Sequence, residues 1–145
     1  MKIRMTAITT AALCLGLAAA AVAQDNPVAK REQMMKQVGA SVGALGAIAK
    51  GEKPYDAAAV KTAVTTISTN AKAFPDQFPA GSEGGAAAPA IWQNFADFKS
   101  KSEKLGTDAD AVLAQLPTDQ ASVGAALKTL GADCSSCHQT YRLKK

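Results

Sequence analysis

Alternation of apolar and polar residues at the period of a strand is missing from this chain, and so is any long hydrophobic run outside its first two dozen residues. The first absence removes the βαβ setting that a thioredoxin-like thiol pair needs. The chain holds one histidine and three cysteines. Cys14 lies in the amino-terminal segment read below as a removable leader, so two cysteines and His138 remain, short of the four ligands of a structural zinc site. No internal repeat, coiled-coil array or low-complexity tail is present. Charge of one sign is also scarce. Lys2 and Arg4 are two of the 16 basic residues, which leaves 14 against 12 acidic ones after the leader. That balance gives no support to nucleic-acid binding.

The leader has three parts. Lys2 and Arg4 form a positive start, Ala11 to Ala20 an apolar stretch, and Ala21-Val22-Ala23 a small-x-small cleavage site. The stretch is too short and alanine-rich for a retained transmembrane anchor. Leu13 argues against a lipid anchor at Cys14. Residues 1–23 are therefore expected to be an export signal and 24–145 one domain, long enough for a real core. The mature protein is expected in the periplasm.

Close to the carboxy terminus stands Cys134-Ser135-Ser136-Cys137-His138. C-x-x-C-H is the attachment signature of a c-type haem. The two thiols add across the porphyrin vinyl groups, and the adjacent histidine becomes the proximal iron ligand. At spacings of three and four, all three side chains share one face of a helix. A disulfide between Cys134 and Cys137 is the alternative, and it leaves His138 without a role.

The rest of the chain predicts an all-α antiparallel four-helix bundle, with the haem attached near the carboxy terminus. Val28, Arg31, Met35, Val38, Val42, Leu45 and Ala49 step by three and four along a first helix that Gly51 stops. Gly39, Gly43 and Gly46 on that helix suggest either close approach of another helix or subunit, including a homodimer, or a thinly packed face. Asp56 caps a second helix with Val60, Val64, Ile67, Ala71 and Phe74 as its stripe, and Pro75 ends it. After a Gly- and Pro-rich connection over 75–89, Pro89 opens a third helix. Its stripe is Ile91 or Trp92, Phe95, Phe98, Ser102, Leu105, Ala109, Val112 and Leu116, with Gly106 as a kink or break. Thr118 or Asp119 caps the last helix, which carries Val123, Leu127, Leu130, Cys134, Cys137, His138 and Tyr141 inward.

With the fourth helix antiparallel to the first, the haem end faces Arg31 and Met35. Arg31 sits where an aliphatic residue is expected and suits a haem propionate; snorkelling at a frayed helix start is the alternative. Met35 is expected over the distal face, either bonding iron through its thioether or packing there. Met34 is expected to point off the seam. Trp92 and Phe95 are candidates for lining the haem edge, and Arg142 for lying beside His138 or a propionate. Lys128, Arg142, Lys144 and Lys145 either complement the last helix terminus or form a rim for an acidic redox partner.

Cys134 to Arg142 (C-x-x-C-H-x-x-Tyr-Arg), Arg31 to Met35 (Arg-x-x-x-Met), Gly51 to Asp56 (Gly-Glu-Lys-Pro-Tyr-Asp) and the pair Phe78-Pro79 and Ile91-Trp92 together resemble class II c-type cytochromes. These are the cytochrome c′ group and its low-spin, methionine-ligated relatives. The resemblance implies thioether links at Cys134 and Cys137, His138 as proximal ligand, and Met35 as distal cover or sixth ligand. It places Arg31 near the propionates and Arg142 one turn beyond the histidine. The length of the segment between Phe78 and Trp92 leans towards the low-spin relatives. The expected function is one-electron transfer with transient redox partner proteins and no turnover of a substrate. The alternative is a five-coordinate, high-spin haem protein that binds nitric oxide or carbon monoxide.

Overall fold

A computed structural model describes residues 26–144; the leader and its cleavage site lie outside the described residues. Helix α1 runs Pro27–Ala49 and starts where Asn26 accepts from the backbone N–H groups of Val28 and Ala29, with Pro27 in the first turn. Gly51 takes a left-handed φ of 75° just after it. Helix α2, Ala57–Ala73, begins at the expected cap, with Asp56 accepting from Ala58 and Ala59. A 3-10 turn at Pro75–Gln77 closes it.

The third expected helix is two pieces. A single turn, α3 (Ala90–Gln93), is separated from α4 (Phe95–Ala114) by Asn94 at φ −137° and ψ 57°. That step out of helical geometry rotates the following residues about the axis. Phe98, Ser102, Leu105 and Ala109 stay buried, whereas Phe95 turns outward to 38% exposure. Gly106 is no break. It is buried within α4, and a β-carbon there would meet the Lys72 side chain at 2.7 Å. The glycine lets the aliphatic stem of Lys72 lie on α4. The last helix, α5 (Gln120–Tyr141), starts in a capping box between Asp119 and Ser122.

The helices close a ring in which α1 packs on α2 and α5, α2 on α4, and α4 on α5. This is the expected antiparallel four-helix bundle. Val60, Val64, Ile67, Leu45, Ile48, Val123 and Leu130 make the main core. Burying each such side chain contributes about 1.5–3 kcal/mol. Phe78, Ile91, Phe98 and Tyr141 make a second, aromatic cluster, with Phe74, Trp92 and Cys137 against it.

Two expectations for α1 need correction. Its fully packed row is Arg31, Met34, Val38, Ser41, Leu45 and Ile48, while Met35, Val42 and Ala49 are half-buried beside it. Met34 is thus a packed residue and does not point away from the bundle. Two neighbouring helices cover α1, so its buried face is wider than one seam. Gly39 and Gly43 meet nothing within 4 Å of a built β-carbon, and Gly46 only Leu127 at 3.9 Å. No close approach within the chain explains the first two.

Candidate haem-attachment site

Between the two clusters lies a cavity of about 720 Å³, bordered by Val38, Ala71 and Leu105 from one and Phe78, Ile91, Phe98 and Tyr141 from the other. That volume falls within the roughly 300–1,000 Å³ typical of ligand and cofactor pockets. The carboxy-terminal turns of α5 supply Cys134, Cys137 and His138 to its wall, and α1 supplies Arg31 and Met35. Cys134 packs against the main core and Cys137 against the aromatic cluster.

The chemistry of these donors suits a covalent haem. Both cysteines are free thiols. Burial pushes the Cys134 thiol up and the Cys137 thiol up to about 11. His138 is exposed overall. Desolvation of its ring, and then the Arg142 cation, lower its pKa and keep the imidazole neutral, the form that binds metal. Among the described residues no cluster of three or more His, Cys, Asp or Glu side chains is arranged to hold a bare metal ion. Two thiols and one imidazole, all from α5 and all bordering this cavity, fit a porphyrin held by two sulfurs and one imidazole.

Gly84 to Ala87, from the connection between α2 and α3, form a further wall of the cavity. Gly84 and Gly85 have φ of 134° and 62°, and a β-carbon on Gly85 would stand 2.9 Å from Val28 Cγ1. The loop thus lies directly on the start of α1 because those glycines have no side chain. The last residue of α5 and the chain beyond it hold the loop from the other side. Ala88 N–H donates to Tyr141 O at 3.0 Å, Leu143 N–H donates to Ala86 O at 2.9 Å, and Ala87 bridges Arg142. The glycine and proline content announces a loop; nothing local announces that it lines the site.

Arg31 is 5% exposed, yet the hydrogen bonds of its guanidinium go to this loop. Nη1 donates to Gln77 O and Ser82 Oγ, both at 3.2 Å, and Nη2 to Ser82 O at 2.7 Å and Gly84 O at 3.4 Å. Its carbon Cζ sits 4.5 Å over the Phe78 ring and 5.8 Å from Trp92. Burial lowers its pKa, partly offset by Glu32 and Glu83. The residue is neither frayed nor snorkelling, because α1 is capped upstream of it at Asn26.

Trp92 and Phe95 are not among the residues that border the cavity. Trp92 is half-buried against Phe78 and donates its indole N–H to Pro79 O at 3.3 Å, so it props the loop. Phe95 leans on Phe98 from outside, with ring centroids 5.9 Å apart. The outward turn at Asn94 removes it from the stripe on which its spacing had placed it. Arg142 does border the cavity and stands exposed just past α5. One bordering residue carries no signal in the sequence pattern: Asp133, a carboxylate 8% exposed.

Residues 26–142 match the family model described as Cytochrome C′. The chain belongs to that family. It is 71% identical over 146 residues, covering all of both chains, to cytochrome c-556 of Agrobacterium fabrum (strain C58). A solved cytochrome c′ from Rhodopseudomonas palustris superposes with a TM-score of 0.78 at 35% identity, over 84% of this chain and 99% of that one. A nitric oxide complex of a mutant cytochrome c prime from Alcaligenes xylosoxidans superposes at 0.74 with 32% identity, over 82% and 94%. The chain is a class II c-type cytochrome, its fold is the cytochrome c′ bundle, and its cofactor is haem c. No helix of the described residues is long and apolar enough to cross a membrane.

Proposed function

We propose that the chain is an exported one-electron carrier of the periplasm, with residues 1–23 removed as its signal. When bound, haem c supplies a ferric–ferrous couple. Cys134 and Cys137 hold it by thioether links, formed as each S–H adds across a vinyl double bond. His138 would donate its imidazole to the iron, and Met35 would offer its thioether from α1. The observation that carries this reading is that Met35 and His138, from two different helices, border one cavity together with both cysteines. Were both His138 and Met35 to bind it, these side chains would serve as donors in both oxidation states, which would favour electron transfer over substrate chemistry.

Arg31 is proposed to act at the site by holding the Gln77–Gly84 segment, with the propionates near it and Arg142 at the exposed edge. Arg31, Lys36, Lys101 and Arg142 border the same cavity against Glu32 and Asp133, a basic excess that supports a transient redox partner with an acidic docking face. No substrate is turned over in this reading.

A second reading is supported by the nitric oxide complex of the Alcaligenes xylosoxidans relative. In it Met35 only crowds the distal side, and nitric oxide or carbon monoxide takes the open position. The optical spectrum of the reduced holoprotein separates the two. A sharp α-band with slow or weak carbon monoxide binding supports the carrier. A broad high-spin spectrum with ready binding overturns it in favour of the gas binder.

A further inference from the structure

Asp133 immediately precedes the first attachment cysteine and lies one helical turn before Cys137, so its side chain shares the α4-facing row with Cys137 and Tyr141. It borders the haem cavity and also a smaller one of about 210 Å³ between α4 and α5. Its side chain is 9% exposed. Oδ1 accepts from Lys104 Nζ at 2.9 Å, whereas Oδ2 is fully shielded and has no hydrogen-bond partner. Leaving a carboxylate oxygen buried and unpartnered opposes folding.

The groups around it do not relieve that cost. Lys104 is shared with Asp108, which its ammonium contacts at 2.6 Å, and its own side chain is 60% exposed. Lys101 also borders both cavities, but its ammonium donates to Ser136 Oγ at 3.1 Å. Asp97, across the smaller cavity, accepts from the Tyr141 hydroxyl. Asp133 is thus a carboxyl group that protein shields from water and ions, beside the second carboxyl group of Asp108 and with a lysine counter-charge that water and salt reach freely. Screening weakens the field of Lys104 far more than that of Asp133.

We propose that Asp133 is a fixed negative charge that holds down the reduction potential of the haem, and that Lys104 partly cancels it. The inference rests on haem c occupying the cavity as read above. A buried negative charge at the cavity wall favours the more positive ferric iron over the ferrous one. Lys104 acts in the opposite sense, and most strongly at low ionic strength.

The test is spectroelectrochemical titration of covalently loaded wild-type protein and of D133N, K104M and D133N/K104M, at low and high salt. D133N removes the charge at nearly constant shape. It should shift the potential upward, raising the ferrous-to-ferric ratio at fixed ambient potential by about threefold or more. K104M should shift it downward, and the double variant should fall between wild type and D133N, near the sum of the two single shifts, because the two charges act on the iron additively. The K104M shift should shrink at high salt while the D133N shift persists. A purely structural role would move both single variants the same way or neither, and that result overturns the proposal while the wild-type haem spectrum remains normal. If the wild-type protein itself carries no covalent haem, the placement of haem fails instead.

Discussion

Tyr141 donates its hydroxyl to Asp97 Oδ2 at 2.6 Å, joining the last turn of α5 to the first turn of α4 beneath the aromatic cluster. Burial, reinforced by the bond to Asp97, pushes the Tyr141 pKa up to about 12, against about 10 in an unfolded chain. The folded state therefore holds this proton more tightly. Its contribution to stability is complete below about pH 10 and is lost as pH rises from there towards about 12. Y141F should lose about 1 kcal/mol at neutral pH and show a shallower alkaline decline than wild type. Urea titrations of both holoproteins, from mildly alkaline pH up towards the Tyr141 pKa, measure the difference; parallel declines would refute the assignment.

Serine at Cys134 or Cys137 removes one thioether link. Expressed with an export-side maturation system, either single variant should yield little holoprotein or one with weakened retention. The double variant should release all of its haem into acidified organic solvent. Acid-stable haem in that double variant would falsify the covalent assignment.

His138 is the chain's only histidine. H138A should therefore abolish the wild-type Soret and α-band pattern even where both thioether links form. An unchanged spectrum would remove His138 from the iron.

Met35 separates the two functional readings. If its sulfur bonds the iron, M35L should convert a low-spin centre to high-spin, lower the potential and open the iron to carbon monoxide. If it only packs, the near-equal volume of leucine should cost less than about 1.5 kcal/mol and leave the spin state alone. Electron paramagnetic resonance of the oxidised protein decides between these outcomes.

Arg31→Leu keeps an apolar stem and deletes the guanidinium's hydrogen bonds to the loop. It should destabilise the holoprotein by about 2–4 kcal/mol and loosen the Gln77–Gly84 segment against α1. Denaturant titration gives the first quantity and limited proteolysis the second. A loss under about 0.5 kcal/mol, well below the worth of one such hydrogen bond to a charged group, would count against the clamp if the segment also stayed protected.

Local chemistry made much of this molecule readable in advance. Asp56 and Asp119 cap helices because a carboxylate beside free N–H groups needs nothing from the rest of the fold. Pro75 and Gly51 end helices for reasons of backbone geometry alone. The attachment motif runs without interruption from Cys134 to His138, so its spacing survives whatever surrounds it. From such features the bundle and a candidate haem-attachment motif near the carboxy terminus follow directly.

Tertiary structure decided the partners. Asn94 interrupts a helix whose apolar spacing runs on unbroken, and the resulting rotation puts Phe95 outside and Phe98 inside. The two faces of α1 are assigned by α2 and α5 together, which is why Met34 is packed while Met35 is left to border the cavity. Arg31 finds carbonyls in a loop 46 to 53 residues away, and Asp133 finds Lys104 on a neighbouring helix. Periodicity along one helix states which residues share a face. It does not state what that face meets, because the contact is made by residues distant in sequence and depends on the rotation of both helices.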